Sequence, residues 1–253
     1  MKIARLRLQE GIFYASLKED GYHLILGDVF SEWGELSEPY LGDYELLSPV
    51  LPSKAVCLGA NYRKHAEELS LDVLPEPTIF LKPTSSVIAS GEAIRYPSTA
   101  TKVDYEAELA VVIGKRTKNV SEEEALSCVL GYTAANDVTE RDMQKRDGQW
   151  TRAKSFDTFC PLGAFLETDL DPENAEIVGK KNGEVVQRGH TRDLINSVKR
   201  SISFISGVMT LEPGDVILTG TPEGIGALVP GDVFEVEING VLMLSNKVEK
   251  EKV

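Results

Sequence analysis

The apolar residues of this chain come in short runs broken by turn residues, and that punctuation limits the folds open to it. Lys2–Leu8, Ile12–Leu17 and Tyr22–Leu26 are such runs, with Gln9-Glu10-Gly11 and Lys18–Gly21 between them. Successive side chains of a strand point to opposite faces, so these runs read as three strands of a small meander. Residues 29–50 show no clear period and read as a linker. A larger block begins near Pro52. In it Ala55–Leu58 and Thr78–Leu81 read as short strands, and Asp104–Ile113 and Val129–Ala135 as central ones. Ile177–Lys180 and Glu184–Gln187 flank an Asn-Gly pair, a hairpin signature that recurs at Asn239-Gly240. Pro-Gly-Asp-Val opens a strand at 213–216 and again at 230–233.

Helical signals are fewer. Ser121–Cys128 starts with a serine cap and three glutamates in its first turn. Asn61–Ser70 is polar and fits a short helix or a mobile loop. Leu194, Ile195, Val198, Ile202 and Ile205 follow helical spacing and predict one long helix over Thr191–Gly207. Strands dominate without regular strand–helix alternation, which argues against a doubly wound sheet. The expectation is an α+β, β-rich chain with a small β domain and linker over residues 1–50 and a larger domain over 51–253.

Bulk composition excludes several function classes. At 253 residues and 42% hydrophobic, the chain can bury a full core. No apolar run approaches the roughly 18 residues of a membrane span, and MKIARLRLQEG lacks the apolar stretch of a signal peptide. A cytoplasmic protein with no membrane partner is expected. The net charge is −13 and no basic stripe is present, so nucleic acid is not an expected partner. An anionic substrate would have to be met by local cations. Cys57, Cys128 and Cys160 are widely spaced and form no Cys-x-x-Cys, which fits buried reduced thiols better than disulfides or zinc.

The chemistry concentrates around Asp104-Tyr105-Glu106-Ala107-Glu108-Leu109-Ala110-Val111-Val112-Ile113. In a strand Glu106 and Glu108 share a face with Ala110 and Val112. Two carboxylates on a buried face need a cation, a shared proton or nearby arginines. A solvent-facing strand edge fits the segment alone equally well. Asp137 ends the run Val129–Ala135, where it could be a third carboxylate or a turn cap. Three carboxylates would suit a hard cation such as Mg²⁺ or Mn²⁺. Lys82, Arg141 and Lys154 would offset the remaining negative charge if they converge. His65 and Glu68 are three apart, which makes them neighbours on a helical turn, either as an acid–base pair or as a charged surface. Gly220–Gly226 is a glycine-rich loop after a strand and matches neither a P-loop nor a dinucleotide fingerprint.

Taken in order, Gly59-x-Asn61-Tyr62-x-x-His65-x-x-Glu68, Phe80-Leu81-Lys82-Pro83, Asp104-Tyr105-Glu106-x-Glu108-Leu109, Asn136-Asp137-Val138-Thr139-x-Arg141-Asp142, Trp150–Phe156 and Leu218-Thr219-Gly220-Thr221-Pro222-x-Gly224-x-Gly226 make the chain resemble the fumarylacetoacetate hydrolase family over roughly residues 52–250. The resemblance implies a mixed β-roll with a barrel-like core, a small N-terminal β domain and a homodimer. It implies Mg²⁺ or Mn²⁺ on Glu106, Glu108 and Asp137, with His65 and Glu68 on a lid moving a proton or activating water. Lys154, with Lys82, Arg141 and Gln144, would neutralise substrate oxygens, and Thr221 would hydrogen-bond the substrate carboxylate. Lys64 departs from the acidic or small residue expected before the histidine and alters the charge of the lid.

The reaction that the resemblance implies is enolisation of a small 2-oxo acid. Its outcome would be C–C cleavage, by acylpyruvate hydrolysis or oxaloacetate decarboxylation. The alternatives are isomerisation or tautomerisation of a 2-hydroxy-dienoate or 2-oxo diacid, and a non-catalytic metal- or ligand-binding role.

Overall fold

The structure, a computed structural model, describes residues 1–251. Residues 252 and 253 of the expected larger domain lie outside the described residues. The described residues form four sheets, with 11, 3, 2 and 5 strands. This is the β-rich α+β architecture expected. Among the described residues no helix is long and apolar enough to cross a membrane.

The N-terminal meander forms as its alternation suggests, over Lys2–Leu8, Gly11–Lys18 and Gly21–Gly27. It is continuous with the largest sheet, because Lys2 and Ile3 pair with Glu167 and Leu166. Ile3, Ile25 and Val29 pack in one core cluster with Ala55, Cys57, Ala110 and Val112. The expected linker contains two short strands. Trp33–Glu35 extends the meander and Glu45–Leu47 pairs with Arg5–Arg7. Strands of three residues are too short to show a period, so the sequence read as unstructured there.

The central hairpin is Ala107–Ile113 with Val129–Asn136, and every residue of the first strand is buried. It is covered on one side by Val216–Leu218, which in turn runs parallel to Ala55–Cys57. Both Asn-Gly hairpins form. Asn182 and Gly183 have φ of 53° and 82°, and Asn239 and Gly240 have 51° and 74°. Two successive left-handed residues give the turn whose twist matches the paired strands. Ser121 and Glu124 form a reciprocal capping box at the start of helix Glu122–Ala125, and a 3-10 turn follows at Leu126–Cys128.

The long helix expected over Thr191–Gly207 is shorter. A 3-10 turn covers Thr191–Asp193, and the helix proper is Val198–Val208, capped by Ser197 accepting from the Arg200 N–H. The segment between has work elsewhere. Ile195 N–H donates to the Asn61 carbonyl at 2.8 Å, Leu194 bridges Tyr62, and Asn196 binds the Asn61 side chain. These contacts outweigh a weak helical preference.

Candidate active site

The stretch expected to be one strand from Asp104 to Ile113 is broken at Glu106. Val103–Tyr105 pairs with Thr139–Glu140 and Gly226–Leu228, whereas Ala107–Ile113 belongs to the central sheet. At the break the Glu106 N–H donates to the Asn136 side-chain oxygen at 2.9 Å, and the Glu106 carbonyl accepts from the Asp137 N–H at 2.9 Å. Two sheets therefore fork at one point, with Glu106 on one arm of the hairpin and Asp137 facing it on the other. Glu108 stands two residues further in. Oxygens from Glu106, Glu108 and Asp137 all lie within 4.8 Å of one another, and all three residues are buried.

Their surroundings are unequal. Lys154 ends the short helix Thr151–Lys154 and donates to Glu106 at 2.9 Å and Asp137 at 2.7 Å. Arg141 opens helix Arg141–Asp147 and donates to Glu106, to Asp104 at 2.9 Å and to Gln144 at 2.6 Å. Lys82 is buried behind Asp137 and donates to it and to the Val138 carbonyl. Among the described residues Glu108 accepts only from the Gly220 N–H, at 2.6 Å. Gly220 makes that approach possible with φ of 97° and no Cβ, since one would lie 2.8 Å from Asn61 Cβ.

The titration behaviour follows. Burial alone would raise Glu106, but Lys154 and Arg141 hold its carboxyl well below the usual range. Glu108 goes the other way: burial pushes it well above the usual range, and the charges of Asp137 and Glu106 push it further. Burial lowers the Lys154 ammonium, and Asp137 and Glu106 more than restore it. Asp104 is raised by burial, against the pull of Arg141. Four buried carboxylates (Asp104, Glu106, Glu108 and Asp137) thus face three cations (Lys82, Arg141 and Lys154), and Glu108 is the one without a cationic partner among the described residues. A divalent cation fits this donor set. All donors are hard oxygens, and a cation would favour the ionised form of Glu108 against the burial that opposes it.

A narrow cleft, with about 300 Å³ of empty space between its walls, opens onto these groups. His65, Gln144, Lys154 and Thr221 line it together with the three carboxylates and Arg141. Phe80 and Trp150 form an apolar wall, edge to face at 5.2 Å, and the Lys154 ammonium sits 5.0 Å from the Phe80 ring centre. Asn61–Ser70 resolves into helix Arg63–Glu68, which roofs the cleft. His65 Nδ1 lies 3.0 Å from Glu68, whose other oxygen accepts from the Gly224 N–H at 3.1 Å. Lys64, on the outer side, pairs with Glu223 at 3.2 Å, so this helix is tied to the glycine-rich loop at two points. The three cysteines are free and buried, and burial pushes the Cys160 thiol up to about 12.

Sequence reasoning did not single out Asp104, which anchors Arg141, or Asn136, which shapes the fork. It also passed over Gln187, a buried amide between the Ala107 N–H and Thr221. A lone glutamine in an alternating strand leaves no periodic trace.

Residues 54–249 match the family described as fumarylacetoacetate (FAA) hydrolase C-terminal, and residues 1–49 match the one described as Rv2993c-like, N-terminal. The mitochondrial oxaloacetate tautomerase of Xenopus laevis is 44% identical over 80% of this chain and 68% of its own length. The crystal structure of 5-carboxymethyl-2-hydroxymuconate delta-isomerase from Mycobacterium smegmatis is similar at 41% identity and TM-score 0.91, over 99% of this chain and 100% of that one. That of 2-hydroxyhepta-2,4-diene-1,7-dioate isomerase from Mycobacterium marinum is similar at 39% identity and TM-score 0.91, over 100% of both. With the motifs, the fold and the acidic fork all in place, the chain belongs to the fumarylacetoacetate hydrolase family.

Proposed function

We propose that this chain is a divalent-metal-dependent enzyme that moves a proton between carbon and oxygen of a small 2-oxo diacid, a keto–enol tautomerase or dienoate isomerase. One observation carries the reading. The His65–Glu68 pair roofs a cleft whose floor holds three mutually adjacent carboxylates and two buried cations, Lys154 and Arg141. Mg²⁺ or Mn²⁺ held by Glu106, Glu108 and Asp137 would supply Lewis-acid polarisation of a 2-oxo carboxylate.

The residues of the chain do the rest. The Lys154 ammonium and Arg141 guanidinium line the cleft and would offset negative charge developing on an enolate oxygen. His65 takes a proton from the carbon beside the ketone, and the resulting enolate is protonated on its oxygen to give the enol, or on the far carbon of a dienolate to give the isomer; the ketonisation direction runs the same transfers in reverse. Glu68 accepts from Nδ1, which leaves Nε2 as the proton-carrying atom and stabilises the imidazolium while the proton is held. The lid excludes water through its two ties to the glycine-rich loop. C–C cleavage, whether acylpyruvate hydrolysis or oxaloacetate decarboxylation, would proceed from the same enolate. The proton-transfer outcome is favoured because the similar proteins named above are a tautomerase and two isomerases.

The test is the decay of the enol absorbance of oxaloacetate with Mg²⁺ or Mn²⁺, run beside pyruvate formation from oxaloacetate and from acetylpyruvate. Enol decay accelerated by the wild type and abolished in Glu106→Gln supports the reading. Pyruvate formation at the same rate would replace it with cleavage, and no turnover of either substrate would leave a binding protein.

A further inference from the structure

Gln187, in strand Glu184–His190, is 1% exposed and bonds three separate segments. Its Oε1 accepts from the Ala107 N–H at 2.9 Å. Its Nε2 donates to Thr221 Oγ1 at 2.8 Å and to the Pro222 carbonyl at 2.9 Å. Thr221 Oγ1 lies 2.9 Å from the Ala107 carbonyl, which closes a ring. Ala107 is the residue between Glu106 and Glu108, and Thr221 stands on the cleft wall. Gly189, two residues along the same strand, has no room for a Cβ, which would meet Pro222 Cβ at 2.5 Å. The strand therefore holds the Thr221-Pro222 turn at two points.

Valence sets the direction of every bond in this ring. A main-chain N–H only donates, so Ala107 must face the amide oxygen. A carbonyl only accepts, so Pro222 must face the amide nitrogen. The second amide proton then points at Thr221 Oγ1, and the single proton of Thr221 is left with the Ala107 carbonyl. What remains on the Thr221 hydroxyl is one lone pair.

We propose that Gln187 is a positioning residue that turns the Thr221 proton away from the cleft, so that the Thr221 hydroxyl meets substrate as an acceptor. An acceptor matches a substrate O–H, such as an enol or a 2-hydroxy group, and is mismatched to a carboxylate oxygen, which only accepts, so this assignment replaces the substrate carboxylate that the family resemblance implies as the partner of the Thr221 hydroxyl. This rests on the enol-handling function proposed above, and it names the oxygen that Thr221 selects.

The test uses full-length Mn²⁺-loaded protein and two probes: the enol of oxaloacetate as substrate, and oxalate, a ligand with acceptors only, as inhibitor. Gln187→Met frees the Thr221 hydroxyl to rotate and donate. KM for the enol is expected to rise about tenfold, the usual worth of one buried hydrogen bond, while oxalate inhibits more tightly. Loosening of the structure would weaken both. Thr221→Val is expected to raise KM for the enol similarly, and the double variant to be no worse than the poorer single, because Gln187 acts through Thr221. Parallel weakening of both probes, no change in either, or multiplicative losses in the double variant would overturn the proposal. Should Gln187→Met fail to fold, Thr221→Val decides, and greater loss of oxalate than of enol refutes the acceptor role. A wild type that neither turns over the enol nor binds oxalate overturns the functional reading itself, and this assignment with it.

Discussion

Replacing Glu108 with glutamine removes one buried charge and keeps the shape. The residue is 1% exposed, and its one hydrogen bond among the described residues, from the Gly220 N–H, can be accepted equally by the glutamine oxygen. In metal-free protein, burial and the charges of Asp137 and Glu106 push the Glu108 carboxyl well above its ordinary value of 4.5. The folded state then binds a proton that the unfolded chain gives up above that value, so stability falls as pH rises past 4.5. The slope is about 1.4 kcal/mol per pH unit, so at about pH 7.5 the loss has a ceiling of about 4 kcal/mol. Glutamine does not titrate. Metal-free Glu108→Gln is therefore expected to be more stable than metal-free wild type at about pH 7.5, by up to about 4 kcal/mol, with the gap closing towards about pH 4.5. Mn²⁺ at about 100 times its Kd should restore about 2.7 kcal/mol to the wild type and little to the variant, which has lost a ligand. Urea denaturation in chelator and in Mn²⁺, at both pH values, measures all four quantities. A variant less stable than wild type in chelator at the higher pH, or a difference independent of pH, would refute the argument that Glu108 is an uncompensated buried carboxylate.

Lys154→Met leaves Glu106 and Asp137 without their shared ammonium, and metal-free protein should lose about 3–5 kcal/mol in the same denaturation at neutral pH; unchanged stability would contradict the buried pairing. His65→Ala should lower turnover about 10²- to 10⁴-fold while Mn²⁺ affinity by calorimetry stays within about threefold, and unaltered turnover would remove His65 from the proton transfer. The Lys64–Glu223 pair is exposed, 75% and 40% at the side chains, so Lys64→Glu should change stability by less than about 0.5 kcal/mol. Its effect should instead be a higher KM at low salt, recovered in the Lys64→Glu/Glu223→Lys double variant. A KM insensitive to both charge reversals would show that this tie does not hold the lid.

Much of the local structure was legible along the chain because its causes are local. Alternation set out the N-terminal strands, two Asn-Gly pairs fixed two turns by their left-handed backbone, and Ser121 with Glu124 capped a helix. The spacing of Glu106 and Glu108 in an apolar run put two carboxylates on one strand face and left open whether that face was buried or faced solvent, and the ordered motifs supplied Asp137, His65 and Glu68 as partners. Where the sequence misled, a distant contact had prevailed. The helical period of Leu194 and Ile195 lost to Asn61, more than 130 residues earlier in the chain.

The acidic fork marks the boundary between the two kinds of information. Composition and order along the chain determined that acidic, basic and acid–base groups would be available, because residue type and neighbour spacing are properties of the chain itself. Only the tertiary structure decided that a strand would break at Glu106, that Lys154 and Arg141 would neutralise two carboxylates and leave Glu108 alone, and that Gln187 would close a ring through Ala107 and Thr221. Each depends on groups separated by 17 to 114 residues, and charge compensation between such groups exists only once folding removes the water between them.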